Sequence, residues 1–81
     1  MDTMDVIVNV SLKKGISDPE GNNIKKALNL LGFDEVEEVH VDKHFKISIK
    51  ASDKDAAEER VKEMAEKLLT NPVVHDYSIE W

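Results

Sequence analysis

The sequence predicts an α+β fold of the order β-α-β(-β)-α-β, with two helices packed on one face of an antiparallel sheet. Three observations carry it. Apolar residues alternate with period two at both ends of the chain, and they recur at helical spacing in two segments between. No repeat, low-complexity stretch or linker divides these segments, so residues 1-81 read as a single domain.

In "DVIVNVSL", Val6, Val8, Val10 and Leu12 fall on one side and Ile7, Asn9 and Ser11 on the other, the signature of a strand with one buried face. The strand pattern starts at Asp5, and Met1 to Thr3 read as an upstream extension before Met4. In "KKGISDPEGNNI" the chain turns at Gly15, Asp18 is placed to cap a helix, and Pro19 takes the first helical position, where a missing N–H costs nothing. Ile24, Ala27, Leu28 and Leu31 follow at helical spacing, and Gly32 suits a helix stop. A first helix is expected over Pro19 to Leu31.

The stretch "VEEVHVDKHFKISIK" admits two arrangements. Val39, Val41, Phe45, Ile47 and Ile49 share one parity, so a two-residue hairpin at Asp42-Lys43 would throw half of them onto the wrong face. Either a three-residue loop at Asp42 to His44 restores the register, or one long bent strand reaches toward a second subunit. Beyond it, Ser52 with Asp55 resembles a capping box, and Ala57, Val61, Met64, Ala65 and Leu68 form an apolar stripe. Glu58 to Lys62 and Glu63 to Lys67 are candidate i,i+4 ion pairs. The second helix should end before Asn71-Pro72, and "VVHDYSIEW" alternates as a last strand with Tyr77, Ile79 and Trp81 on one side. This order is related to the ferredoxin-like arrangement.

Composition excludes several function classes. Seventeen acidic against eleven basic residues give a net charge of -6, which repels phosphate backbones and anionic headgroups, so neither nucleic acid nor membrane is an expected partner. Without cysteine there is no disulfide, thiol nucleophile or Cys-based zinc site. No apolar run approaches a spanning length and the N-terminus lacks a signal-peptide pattern, so a cytoplasmic protein is expected. A domain this short buries little of its surface, which makes a homo-oligomer, a dimer or a dimer of dimers, the expected state. Val39, Val41, Phe45 and Ile47 are its candidate interface.

The glycine-flanked turn is a poor phosphate loop. "GISDPEG" lacks the Gly-Lys-Ser/Thr ending, Pro19 removes a donor, and Asp18 and Glu20 occupy the positive end of the helix dipole. A capped helix start explains the same residues. His40, Asp42 and His44 alternate as metal ligands could, but a solvated strand face looks the same, and no metal is assigned. His75 reads as a strand-edge histidine. The carboxylates lie on helix surfaces and in "DEVEE" rather than as a desolvated acid/base pair, and no serine has a nucleophile-elbow context. An acylphosphatase-like arginine is missing from the first loop, since Arg60 is the sole arginine, and the aromatics are too few for an RNA-binding sheet. No catalytic residue is expected in this chain.

Leu12 to Gly21, in the pattern Leu-Lys-x-Gly-x-x-Asp-Pro-Glu-Gly, together with Ala27 to Phe33 and Leu68-Leu69-x-Asn-Pro-Val, resembles the PurS family, the small subunit of phosphoribosylformylglycinamidine synthase. The resemblance covers nearly the whole chain. It implies a non-catalytic subunit of a glutamine amidotransferase complex in purine biosynthesis. In such a complex a larger synthetase subunit (PurL) uses ATP and Mg, a glutaminase subunit (PurQ) releases ammonia from glutamine, and the small subunit bridges the two and binds no cofactor itself. A regulatory amino-acid-binding module of the ACT type shares the same element order and is the alternative; ligand-induced stabilisation of the isolated chain would separate the two. Lys13 and Lys14, on a turn stiffened by Gly15 and Pro19 and closed by Asp18, form a rare positive patch in an acidic chain and are the candidate partner contact, although solvated charges flanking a helix cap account for them equally well.

Overall fold

The order of elements follows the hydrophobic periods just described. A computed structural model describes residues 3–81: β1 (Thr3–Leu12), α1 (Pro19–Leu30), β2 (Lys43–Lys50), α2 (Lys54–Met64) continuing into a π-helical turn (Ala65–Leu69), and β3 (His75–Glu80). The sheet is antiparallel in the order β2-β1-β3, so the most regularly alternating strand is central. β1 starts earlier than the expected Asp5 because Thr3 and Met4 pair with Lys50 and Ile49. Of the segment read as an upstream extension, Met1 and Asp2 lie outside the described residues.

Register places the apolar parities together. Val8 stands between Phe45 and Ile79, Val10 faces Tyr77, and Val6 faces Ile47. α2 covers this face: Val6, Val8, Val10, Val61 and Ala65 are buried as one cluster, with Phe45, Ile47, Ile49, Leu69, Tyr77 and Ile79 half-buried around it. Burying each such aliphatic side chain contributes about 1.5–3 kcal/mol. The opposite face is polar. Asn9 bridges it, His44 Nδ1 lying 2.9 Å from Asn9 Oδ1 and Asn9 Nδ2 3.5 Å from Ser78 Oγ, and the Ser48 hydroxyl donates to Asp5 at 2.6 Å.

The expectation that both helices cover the sheet holds for α2. α1 contributes no side chain to the core cluster, and Ile24, Leu30 and Leu31 stay exposed on it. After Gly32, at φ +100, the chain returns along α1 through residues 36–42 without joining the sheet. The bracketed extra strand therefore does not form, and neither does the three-residue loop at Asp42 to His44, because β2 already begins at Lys43 opposite Val10. The long axis of 52 Å exceeds the roughly 33 Å of a ten-residue strand, and the radius of gyration of 16.6 Å exceeds the about 12 Å of a closely packed chain of this length. α1 and its return form an arm rather than a second layer.

α2 departs from expectation in three places. Asp53, not Ser52, is its N-cap, accepting from the Asp55 N–H at 3.1 Å. The exposed ion pairs are Arg60–Glu63 at 3.1 Å and Lys62–Glu59 at 3.7 Å, both i,i+3, instead of the i,i+4 pairs; at such exposure each contributes little. Leu68, expected on the buried stripe, is 83% exposed. Its place is taken by Leu69, because the Thr70 N–H reaches back five residues to the Ala65 carbonyl (2.9 Å) and the wider turn carries Leu68 outward. The buried Thr70 hydroxyl donates to the same carbonyl, also at 2.9 Å, and closes the helix before Asn71-Pro72.

Candidate interaction site

The candidate site lies at the end of the sheet where β1 leaves for α1. Gly15, at φ +86, lets the chain reverse after Lys14, a conformation that side-chain-bearing residues rarely adopt. The Lys13 N–H donates to the Val74 carbonyl (2.8 Å) and the Ile16 N–H to the Lys13 carbonyl (3.0 Å), so the loop is tied both to itself and to the α2–β3 turn.

Asp18 does more than the sequence assigned to it. One carboxylate oxygen accepts from the Gly21 N–H at 2.8 Å, the expected helix cap. The other accepts from the Val41 N–H at 2.9 Å and pins the returning segment beside the start of α1. Gly21 is buried because the Val39 carbonyl lies where its side chain would be. At the far end of the helix, Asn29 Nδ2 donates to the carbonyls of Phe33 (2.9 Å) and Val36 (3.4 Å). These contacts fasten the arm at both ends. A cap was legible from Asp18-Pro19; its reach to Val41 was not, since nothing local signals a contact over 23 positions.

The two N–H donors hold the Asp18 carboxyl below the usual carboxylate value, Val41 more strongly than Gly21, and His40 nearby adds to the effect. A carboxyl with a lowered folded pKa contributes stability that is fully present above its unfolded value of 3.8 and is lost as pH falls through the folded one. The arm of the native chain is therefore expected to hold above pH 3.8 and to loosen as pH falls below it. Thermal melts across that range, read beside those of Asp18→Asn, check this: the variant should lose less of its midpoint on acidification. Parallel profiles would remove Asp18 as the cause.

The loop and the arm enclose an open groove of about 550 Å³, whose walls include Lys13, Lys14, Gly15 and Asp18 on one side and Glu38, His40 and Asp42 on the other. All four residues singled out as a partner contact therefore stand together. The interface candidates divide instead. Val39 and Val41 are half-buried in the arm, whereas Phe45 and Ile47 point from the edge strand β2 onto the core. His40 and His44 do not converge: His40 lies 3.4 Å from Glu38, and His44 belongs to the polar sheet face with Asn9. Among the described residues no three metal-binding side chains come together. His75, at the start of the edge strand β3, accepts the Asn71 N–H at Nδ1 (2.9 Å) and staples the α2–β3 turn. Among the described residues no helix is long and apolar enough to cross a membrane.

The family model described as PurS, phosphoribosylformylglycinamidine (FGAM) synthase, matches residues 5–81. The phosphoribosylformylglycinamidine synthase subunit PurS of Archaeoglobus fulgidus is 50% identical over 74 residues, covering 91% of this chain and 92% of that one. The crystal structure of Methanocaldococcus jannaschii PurS, a subunit of formylglycinamide ribonucleotide amidotransferase in the purine biosynthetic pathway, superposes with a TM-score of 0.81 at 46% identity, over 94% of this chain and 92% of that one. A chain in the structure of PurLQS from Thermotoga maritima superposes with a TM-score of 0.87 at 29% identity, over 99% of this chain and 98% of that one.

Proposed function

The chain belongs to the PurS family of FGAM synthase subunits in purine biosynthesis, and from that premise we propose that it bridges the glutaminase (PurQ) and synthetase (PurL) subunits and supports ammonia transfer between them. The observation that carries this reading is the likeness, along nearly the whole chain, to a subunit solved within PurLQS. The chain contributes no catalytic residue and no cofactor site of its own. What it supplies is geometry: holding two active sites in register raises the effective concentration of ammonia at the second site before bulk water protonates it.

Lys13, Lys14, Gly15 and Asp18 form the surface offered to a large subunit. A Gly15 turn tied to Val74, and a carboxylate clamp at Asp18, support this because a pre-shaped loop loses little entropy on docking. Self-association as a dimer or a dimer of dimers uses the other uncovered surface. The open edge of β2, the unpaired segment carrying Val39 and Val41, and the exposed apolar residues of α1 all favour it.

Reversing both lysines to glutamate tests the bridge. The isolated subunit should melt within about 0.5 kcal/mol of the native chain, as surface substitutions do. Assembly with the two large subunits and glutamine-dependent activity should both fall, while activity with added ammonia survives better. A double reversal that assembles and transfers ammonia normally would move the partner surface elsewhere.

A further inference from the structure

The α2–β3 turn is closed by a hydrogen bond that exists in only one charge state of its acceptor. The Asn71 N–H donates to His75 Nδ1 at 2.9 Å. A backbone N–H can only donate, so Nδ1 offers a lone pair, and the proton of the neutral ring sits on Nε2. A second proton would occupy that lone pair. The imidazolium carries N–H groups at both nitrogens, which leaves the Asn71 N–H facing another donor and removes the bond. The loss reaches beyond the ring. Asn71 also accepts from the Val74 and His75 N–H groups at its carbonyl (3.0 and 2.8 Å) and from the Val73 N–H at its side chain (3.1 Å), so residues 71–75 close as one unit. The Val74 carbonyl in turn accepts the Lys13 N–H at 2.8 Å. The loop that carries Lys13 and Lys14 is thereby anchored to a turn that needs an uncharged imidazole.

The surroundings of His75 offer no compensation for its charge. The residue is half-buried and stands opposite Leu12 of β1, while Tyr77 is the next titratable side chain along that face of β3. Asp76 falls on the other face, opposite Ser11. Lys13 follows Leu12 in the loop, and Glu66 and Lys67 on the π-helical turn are exposed. Among the described residues no carboxylate comes within ion-pair distance of the His75 ring.

We infer that His75 is a pH-sensitive latch on the β1–α1 loop: the neutral ring closes the α2–β3 turn and holds the loop through Val74, and protonation loosens both. The sign follows from the acceptor role. The latch is closed at higher pH and released as pH falls through the titration of His75, and histidine is the side chain that ordinarily changes charge between about pH 5 and 8. The Asp18 clamp gives way only below pH 3.8, so the two devices act in separate ranges. The latch belongs to the isolated chain and goes beyond the bridging reading: pH sets how firmly Lys13 and Lys14 are presented.

The test follows the full-length chain by NMR from pH 8 to pH 5, reading the His75 ring nitrogens together with amide exchange at Asn71 and Lys13, corrected for the intrinsic pH dependence of exchange. The ring resonances should show the neutral His75 protonated at Nε2. Protection at Asn71 should fall at least about fivefold, the effect of losing one hydrogen bond, with the midpoint of the ring titration, and Lys13 should follow it. His75→Asn places an amide oxygen where Nδ1 stood and cannot titrate, so its protection at Asn71 should stay level. His40→Gln/His44→Gln should keep the native fall, which separates His75 from the other two histidines. A neutral ring protonated at Nδ1 overturns the inference in the native chain alone. Unchanged protection at Asn71, or an equal fall in His75→Asn, overturns it as well, and a fall at Asn71 that leaves Lys13 unmoved overturns the hold on the loop.

Discussion

Gly21→Ala is expected to destabilise the arm and weaken self-association, although helix propensity argues the opposite. Alanine is favoured over glycine inside a helix by about 1 kcal/mol, and Gly21 sits in the first turn of α1. Its added methyl, however, would collide with the Val39 carbonyl oxygen and press on the Asp18 carboxylate, which lies 3.0 Å from the methyl position. A backbone carbonyl cannot rotate aside as a side chain does, so the returning segment must shift. Overpacking of this kind costs about 1–3 kcal/mol, and the same shift breaks the Asp18–Val41 bond that holds the arm closed. Faster amide hydrogen exchange at Val41 and a lower sedimentation mass are the expected results. Val41 protection at the native level, with an unchanged mass, would show that the close packing of Gly21 holds nothing together.

Phe45→Asp should have the larger effect on the fold. Phe45 pairs with Val8, which is fully buried, and packs against the core cluster from an edge strand. The substitution removes an aromatic contact and sets a carboxylate against the apolar core cluster. Losing the aromatic side chain alone costs about 3–5 kcal/mol when burial is complete, and desolvation of the charge adds to that. In a chain of this size each kcal/mol lowers the melting temperature by roughly 4–8 °C, so the variant should be largely unfolded or melt far below the native chain. Copies should also separate, because β2 is the edge on which the proposed strand-mediated contact relies. A variant that melts within a few degrees of native and sediments normally would show that β2 carries neither role.

The two substitutions mark where local pattern suffices and where it does not. The strand character of 5–12 and 75–80, the span of α1, its Asp18 cap and the break at Asn71-Pro72 follow from residues a few positions apart, because period-two and helical spacing, capping and proline geometry are local physics. Which valines are buried is equally local, since one face of β1 is apolar without interruption. The family, too, is legible in short motifs, and the synthetase and glutaminase partners enter with it.

The tertiary structure alone decided the rest. Residues 36–42 have strand composition but run along α1, because the Asp18 clamp and the close approach at Gly21 give that backbone partners the sequence pattern does not reveal. α1 keeps its apolar stripe, yet among the described residues no core cluster forms beneath it, because α2 is the helix packed on the valine face. Leu68 follows the helical period and is exposed all the same. One hydrogen bond that skips to the fifth residue, from Thr70 to Ala65, widens the last turn and hands the core position to Leu69. Periodicity assumes a constant number of residues per turn, and only the folded backbone shows where that number changes.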